Sequence, residues 1–165
     1  MCVFKISICI VLFSFCNCVM LFAEEVNDTE DPLTNSIKIS ASGMQAQNNR
    51  LKIVAQNIAN SNVTGRTSEE NPYRRQVIFF KNVYDKNLGT KILKADKVQE
   101  DQSPFILKYE PNHPAADSKG FVKYPNVNLI IETIDSKEAQ RSFDANLSAL
   151  EIAKNNQNKI VELMR

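Results

Sequence analysis

Few residues in this sequence have the type and spacing to do chemistry. His113 is the only histidine and lies between Asn112 and Pro114 in a turn-forming stretch. An imidazole there could act as a general base. No second histidine exists to share a metal ion with it, and no cysteine lies beyond residue 23. His113 therefore reads as a hydrogen-bonded loop residue. Glu69, Glu70, Glu110 and Asp117 would bind a cation only if the fold gathered them, and none stands in calcium-loop spacing. Gly65 and Gly120 are isolated, so no glycine loop is present to cradle a phosphate. Tyr73, Arg74 and Arg75 form the one tight basic and aromatic cluster. With twenty basic residues against nineteen acidic ones, a formal charge of +1, the chain has little electrostatic footprint for nucleic acid. That cluster better suits a protein contact or ion pair. These residues predict a non-enzymatic chain with no cofactor, no metal, no nucleic-acid partner and no small-molecule substrate.

The four cysteines, Cys2, Cys9, Cys16 and Cys18, all fall within residues 1–23, an apolar leader with one basic residue, Lys5. It reads as a secretory signal or anchor with a weak cleavage site after Ala23, or as a mis-called start whose true initiator is Met20. The Cys16 and Cys18 spacing suggests metal or lipid attachment, but Phe15 and Asn17 precede them where a lipidation box wants a small residue, which leaves them as apolar ballast of the leader. Without the leader the chain has no thiol chemistry and nineteen charges of each sign. Residues 24–35 are acidic and turn-prone, and are expected to form a flexible lead-in.

Two periodic runs must position everything else. Ile37, Ala41, Met44, Asn48, Leu51, Ala55 and Ile58 alternate at spacings of four and three, the heptad pattern of a helix laying a narrow stripe on a partner. That spacing predicts a helix over 36–64, capped by Thr34 or Ser36, with Gly43 a weak point costing up to about 1 kcal/mol against alanine. Phe143, Leu147, Leu150, Lys154, Gln157, Val161 and Met164 repeat the pattern in a second helix over 135–165, where neither glycine nor proline occurs after Ser136. At about 28 residues, near 42 Å, this helix suits a coiled coil or an assembly element. Asn48, Asn146, Lys154 and Gln157 make the stripes polar in places. Two such helices are weakly self-stabilised and gain from further neighbours.

Between them, residues 65–134 change period. The runs "RQVIFFKNVY", "FILKYE" and "GFVKYPNVNLIIETI" each predict a strand, and Pro104, Pro111, Pro114 and Pro125 keep the strands short. The fold class expected is mainly α: long terminal helices packed as a coiled coil around a small β-strand and loop insert.

The first helix ends in the box Asn57-Ile58-Ala59-Asn60, followed by Asn62, Thr64 and Gly65. Asn62 and Gly65 suit a turn through left-handed backbone, and Asn57 and Asn60 are spaced to serve as a contact surface. The run "ISASGMQAQNNRLKIVAQNIANSNVTG" with this box closely resembles the bacterial flagellar rod and hook family. "PYRRQVIFF", "EPNHPAADSKGFVKYPNVNL" and "EAQRSFDANLSAL" look specifically like its proximal rod members, and the likeness spans about residues 36–165. The resemblance implies a structural rod subunit of the basal body, in the periplasmic space, whose helices wall an export channel. Its partners would be copies of itself, other proximal rod proteins, the distal rod and the export gate. The assembly residues it implies are Met44, Leu51, Ala55, Asn57, Ile58, Asn60, Asn62, Tyr73, Arg74, Arg75, Phe143, Asn146, Leu147, Leu150, Val161 and Met164. The leader departs from the family, whose members need no secretory signal. A secreted or membrane-anchored coiled-coil adaptor would predict the same helices but not this motif set.

Overall fold

A computed structural model describes residues 31–165. The leader and most of the acidic lead-in, with the expectations attached to them, lie outside the described residues. Helix α1 (Pro32–Ala59) leads into a long hairpin, β1 (Gln76–Asp85) and β2 (Thr90–Glu100), then a small antiparallel pair, β3 (Ile106–Tyr109) and β4 (Phe121–Tyr124), and finally helix α2 (Leu129–Leu163). The two helices pack antiparallel: Gly43 lies against Asn146, Arg50 against Asp135 and Asn57 against Glu132. No described helix is long and apolar enough to cross a membrane.

Both helices start earlier than their patterns predict. Proline fixes the backbone angle a first helical turn needs and lacks only a donor that would be orphaned there. Pro32 accordingly opens α1, and Asp31 before it makes no side-chain cap, so neither Thr34 nor Ser36 fills that role. The run "GFVKYPNVNLIIETI" does contain its expected strand, β4, whereas "LIIETI", expected within the strand and loop insert, is the first two turns of α2. Asn128 caps it by accepting from the Ile130 and Ile131 N–H groups at 3.0 and 3.4 Å. A cap is worth about 1 kcal/mol, while β-branched residues lose at most about 0.7 kcal/mol each in a helix. The helix reaches 35 residues, about 52 Å.

The phase of the helix contact also differs from the expected stripe. In α1 the buried residues are Ser40, Gly43, Ala46, Val54 and Asn57, with Gln47 and Arg50 partly buried between them. Facing them in α2 are Glu132, Ala139 and Ala153, with Ser136, Phe143, Asn146, Leu150 and Gln157 partly buried. Spacings of three and four persist, but the α1 face is turned by one residue from Ile37, Ala41, Met44, Asn48, Leu51, Ala55 and Ile58. Small side chains let the helices approach closely. A Cβ at Gly43 would lie 2.8 Å from Asn146 Oδ1. Gly43→Ala is therefore expected to be nearly neutral, because the helix-propensity gain of about 1 kcal/mol is offset by displacing the Asn146 amide from its bond to Ser142 O. Gly43→Leu is expected to cost 1–3 kcal/mol, roughly the penalty of overpacking, as read by urea unfolding.

The hairpin lies along another face of α1. Phe79 pairs with Lys97 and Phe80 with Ala95, so Asp96 is the extra residue of a bulge, and it forms an ion pair with Lys81. Strand β2 was not distinguished by pattern, since lysines alternate irregularly with small residues through "TKILKADKVQE". At the tip Gly89 takes a φ of 61°, Leu88 is buried, and Asn35 Nδ2 donates to Leu88 O at 3.2 Å. The small sheet closes through Gly120, at a φ of 84°, and Asp117, whose Oδ1 accepts from the Lys119 and Phe121 N–H groups.

Candidate functional site

The densest polar structure sits where α1, the root of the hairpin and the first turn of α2 meet. Asn57 is 1% exposed and Glu132 is fully buried. Asn57 Oδ1 accepts from Tyr73 Oη at 2.8 Å and Gln76 N at 2.9 Å, while its Nδ2 donates to Gln76 O at 2.9 Å and Glu132 Oε2 at 3.0 Å. The other Glu132 oxygen accepts from Arg75 Nε at 2.7 Å. Arg75 also faces Asp101 at 3.5 Å and Asp135 at 3.6 Å, and Asp135 accepts from Arg50 at 3.1 Å.

The neighbouring residues pin the hairpin root. Arg75 N donates to Asn126 Oδ1 at 2.8 Å, and Asn126 Nδ2 donates to Asp101 O at 3.0 Å and Ser103 Oγ at 2.9 Å. Arg74 donates to Asp101 O at 2.9 Å, and its guanidinium lies 4.2 Å over the Phe105 ring. A cleft of about 280 Å³ opens beside this corner, lined by Ile53, Val54, Val77, Ile78 and Phe80 as well as the charged groups.

Electrostatics matches the geometry. Burial opposes the charge on Arg75, but its hydrogen bond to Glu132 and the fields of Glu132, Asp101 and Asp135 raise its pKa above the ordinary arginine value. Burial, followed by the fields of Glu132 and Glu100, pushes the Tyr73 phenol up, so it remains a neutral donor. Hydrogen bonds from Ser103, and then the Arg75 charge, hold the Asp101 carboxyl below the usual range. A depressed carboxyl adds stability above its unfolded pKa, about 3.9, and that contribution disappears as pH falls through the lower folded value. Wild-type protein is thus expected to lose melting temperature below about pH 4. Asp101→Asn should flatten that part of the profile, as differential scanning fluorimetry would show.

Charges of both signs are matched at this corner and its hydrogen-bonding groups are engaged with one another. Its chemical capacity is to hold three elements at a fixed angle. His113 Nδ1 accepts from Ala115 N at 3.1 Å within its own loop. The carboxylates of Glu70, Glu110 and Asp117 bond to Arg66 N, Tyr124 Oη and loop N–H groups respectively. Among the described residues no group of three or more His, Cys, Asp or Glu is gathered to hold a metal ion.

The assembly residues read from the sequence fall into two groups. Asn57, Tyr73, Arg74, Arg75 and Asn146 are engaged inside the chain, and Met44, Leu51, Phe143 and Leu150 are partly buried. Ala55, Ile58, Asn62, Leu147, Val161 and Met164 are exposed. Asn60 is the α1 C-cap, its Nδ2 donating to Gln56 O at 2.8 Å. Neither Asn62 nor Gly65 takes the left-handed backbone expected of them; the turn is closed by Ser61 Oγ donating to Ile58 O and by Val63 N donating to Asn60 O. Gly65 is required because a Cβ there would lie 2.5 Å from the Glu70 carbonyl. Pattern reading missed Glu132, Asn126, Asp101 and Asp135. A lone carboxylate within "LIIETI" was the available signal, because a charge set among apolar residues must find a partner if buried.

On α2 and its C-cap a further set of apolar side chains faces outward: Ile130 is 72% exposed, Ile134 60%, Ile152 62%, Val161 56% and the capping Met164 76%. Beyond Gln157 every residue of this helix is exposed.

Comparison with known proteins bears on both ends. Residues 37–65 match the family described as flagella basal body rod protein, and residues 118–163 match the C-terminal region of flagellar basal body rod FlgEFG proteins. The chain is 45% identical over 120 residues to the flagellar basal-body rod protein FlgC of Agrobacterium fabrum, covering 73% of this chain and 86% of that protein. Identity to FlgC of Borreliella burgdorferi is 36% over 140 residues, covering 74% and 91%, and to FlgC of Escherichia coli 38% over 123 residues, covering 74% and 90%. The family-matched segments contain most of α1 with its Asn box, and β4 with α2, two of the three elements that meet at the polar corner; by its identity to these relatives the chain belongs to the FlgC family of flagellar basal-body rod proteins.

Proposed function

We infer that this chain is a structural subunit of the proximal rod of the flagellar basal body. It is not an enzyme. The observation that carries the reading is the division of labour between the helices' faces. The intramolecular seam uses mainly alanine, glycine, serine and polar residues, with Val54, Phe143 and Leu150 among them, while Ile130, Ile134, Ile152, Val161 and Met164 face outward. A lone chain gains nothing from exposed isoleucines, whereas each one buried between subunits contributes roughly 1.5–3 kcal/mol.

In this reading α1 and α2 pack with copies of themselves as a coiled-coil inner wall surrounding the export channel, and the tube transmits torque across the periplasmic space. The remaining partners are the other proximal rod proteins FlgB and FlgF, a FliE-like junction protein, the distal rod and the export gate. Ile58, Asn62, Leu147, Val161 and Met164 supply direct contacts. Asn57, Tyr73 and Arg75 contribute by fixing the angle between the hairpin and the helices. Deleting the gene tests the reading: swimming and rod assembly should both be lost, and intact rods in the deletion strain would favour an adaptor unrelated to the flagellum.

A further inference from the structure

Strand β1 has an outer edge that its own chain begins to pair and leaves unfinished. Asp101 N donates to Arg75 O across the hairpin root, so the alternation of an antiparallel ladder turns the backbone groups of the next residue, Gln76, toward the open side. There the Asn57 side chain takes the place of a neighbouring strand. Its Oδ1 accepts from Gln76 N and its Nδ2 donates to Gln76 O, both at 2.9 Å. Ile78 and Phe80 turn their backbone groups to the same side, and among the described residues nothing pairs with them there. The cleft of about 280 Å³ opens along this edge, between β1 and Ile53 and Val54 of α1. A helix, about 10–12 Å across, does not fit such a volume, whereas a few residues of extended chain do.

The two edges of the hairpin are unequal. β2 carries Lys91, Lys94 and Lys97 and the bulge at Asp96, devices that discourage strand pairing. β1, "QVIFFKNVYD", has one lysine, no proline and no extra residue. A second free edge of the same kind lies on β3. Glu110 N donates to Gly120 O, so alternation turns the backbone groups of Leu107 and Tyr109 outward, as it does those of Phe121, which bond to Asp117 on the opposite edge. No partner among the described residues meets Leu107 or Tyr109 on that side, and their side chains are 62% and 66% exposed.

We propose that β3 of a second copy adds to the β1 edge in this cleft, the Leu107 and Tyr109 backbone groups bonding to Ile78 and Phe80 and continuing the ladder that Asn57 starts. Each copy offers one edge of each kind, so the contact is head-to-tail and can pass from copy to copy. It rests on the reading of the chain as a self-assembling rod subunit and adds a backbone contact to the helical ones.

Photocrosslinking in assembled basal bodies tests the proposal, with benzoylphenylalanine placed at Tyr109 and, as a control for subunit contact, at Ile152. The Tyr109 probe should give an adduct of two chains that mass spectrometry maps to residues 53–54 or 76–80. Leu107→Pro removes only the outward N–H, at an edge position where proline is tolerated. It should cut that adduct at least fivefold and leave the monomer's melting temperature within a few degrees of wild type. An adduct that maps elsewhere, an adduct undiminished by Leu107→Pro, or no adduct from Tyr109 while Ile152 links two chains would overturn the pairing alone. No adduct from either probe would overturn the subunit reading with it.

Discussion

Replacing Glu132 with alanine is expected to destabilise the folded chain by about 3 kcal/mol, the lower end of what removing one partner of a buried ion pair costs. The lower end applies because Arg75 is 21% exposed and retains Asp101 and Asp135 nearby, whereas Glu132 is fully buried. Glu132→Gln keeps the shape and still loses about 1–3 kcal/mol, the cost of an unsatisfied buried group. A glutamine that accepts from Arg75 Nε through its oxygen turns its amide nitrogen toward Asn57 Nδ2, placing donor against donor. Asn57 cannot flip to relieve this, because its Oδ1 already receives the Tyr73 hydroxyl and the Gln76 N–H. Urea unfolding followed by circular dichroism would check both values. A loss below 0.5 kcal/mol for the alanine variant, roughly the effect of an ordinary surface change, would show that the corner does not hold the fold.

The second large effect concerns assembly. The double substitution I130D/I134D is expected to leave the monomer's melting temperature close to wild type while abolishing rod assembly and swimming. Ile130 is the second residue of α2, where an acidic side chain interacts favourably with the helix dipole, and both isoleucines are exposed in the single chain. In a packed wall each substitution removes roughly 1.5–3 kcal/mol of apolar burial and puts a carboxylate in its place. That loss recurs at every subunit. Swimming assays with electron microscopy of basal bodies would read the effect, and normal rods built from the variant would contradict it.

The two helices were legible because a spacing of three and four survives in both, and because α2 carries no glycine or proline after its start. What the spacing hid was which face α1 uses within its own chain, while Phe143, Leu150 and Gln157 of the α2 pattern do lie on the seam. Apolar residues define a stripe, and a stripe is normally assigned to the nearest partner; in α1 Ser40, Gly43, Ala46 and Val54 make that contact instead. Leu147 and Leu150 consequently lie toward the Gly43 end of α1, and Leu51 and Ile58 toward the opposite end, near Asp135 and Glu132. Any packing between those two pairs must come from different chains.

The polar corner was half visible. Asn57, Tyr73 and Arg75 stood out by type and clustering, but their partner Glu132 was concealed by the isoleucines around it, whose strand preference is overridden by the Asn128 cap. The hydrogen bonds of Asn57 span 16 to 75 residues of sequence, and no local pattern records them. The turn after α1 failed for another reason. Asn62 and Gly65 were assigned left-handed backbone from residue type alone, while Ser61 closes the turn with its hydroxyl.

Electron cryomicroscopy of isolated basal bodies, at a resolution that shows side chains in the proximal rod, tests the central claim most directly. Ile130, Ile134, Ile152, Val161 and Met164 should be buried between subunits, with the Gly43–Asn146 seam and the Glu132–Arg75–Asn57 corner preserved inside each one. Rods in which those five residues face solvent, or the channel lumen, while the α1–α2 seam is opened to make the subunit contacts, would contradict it.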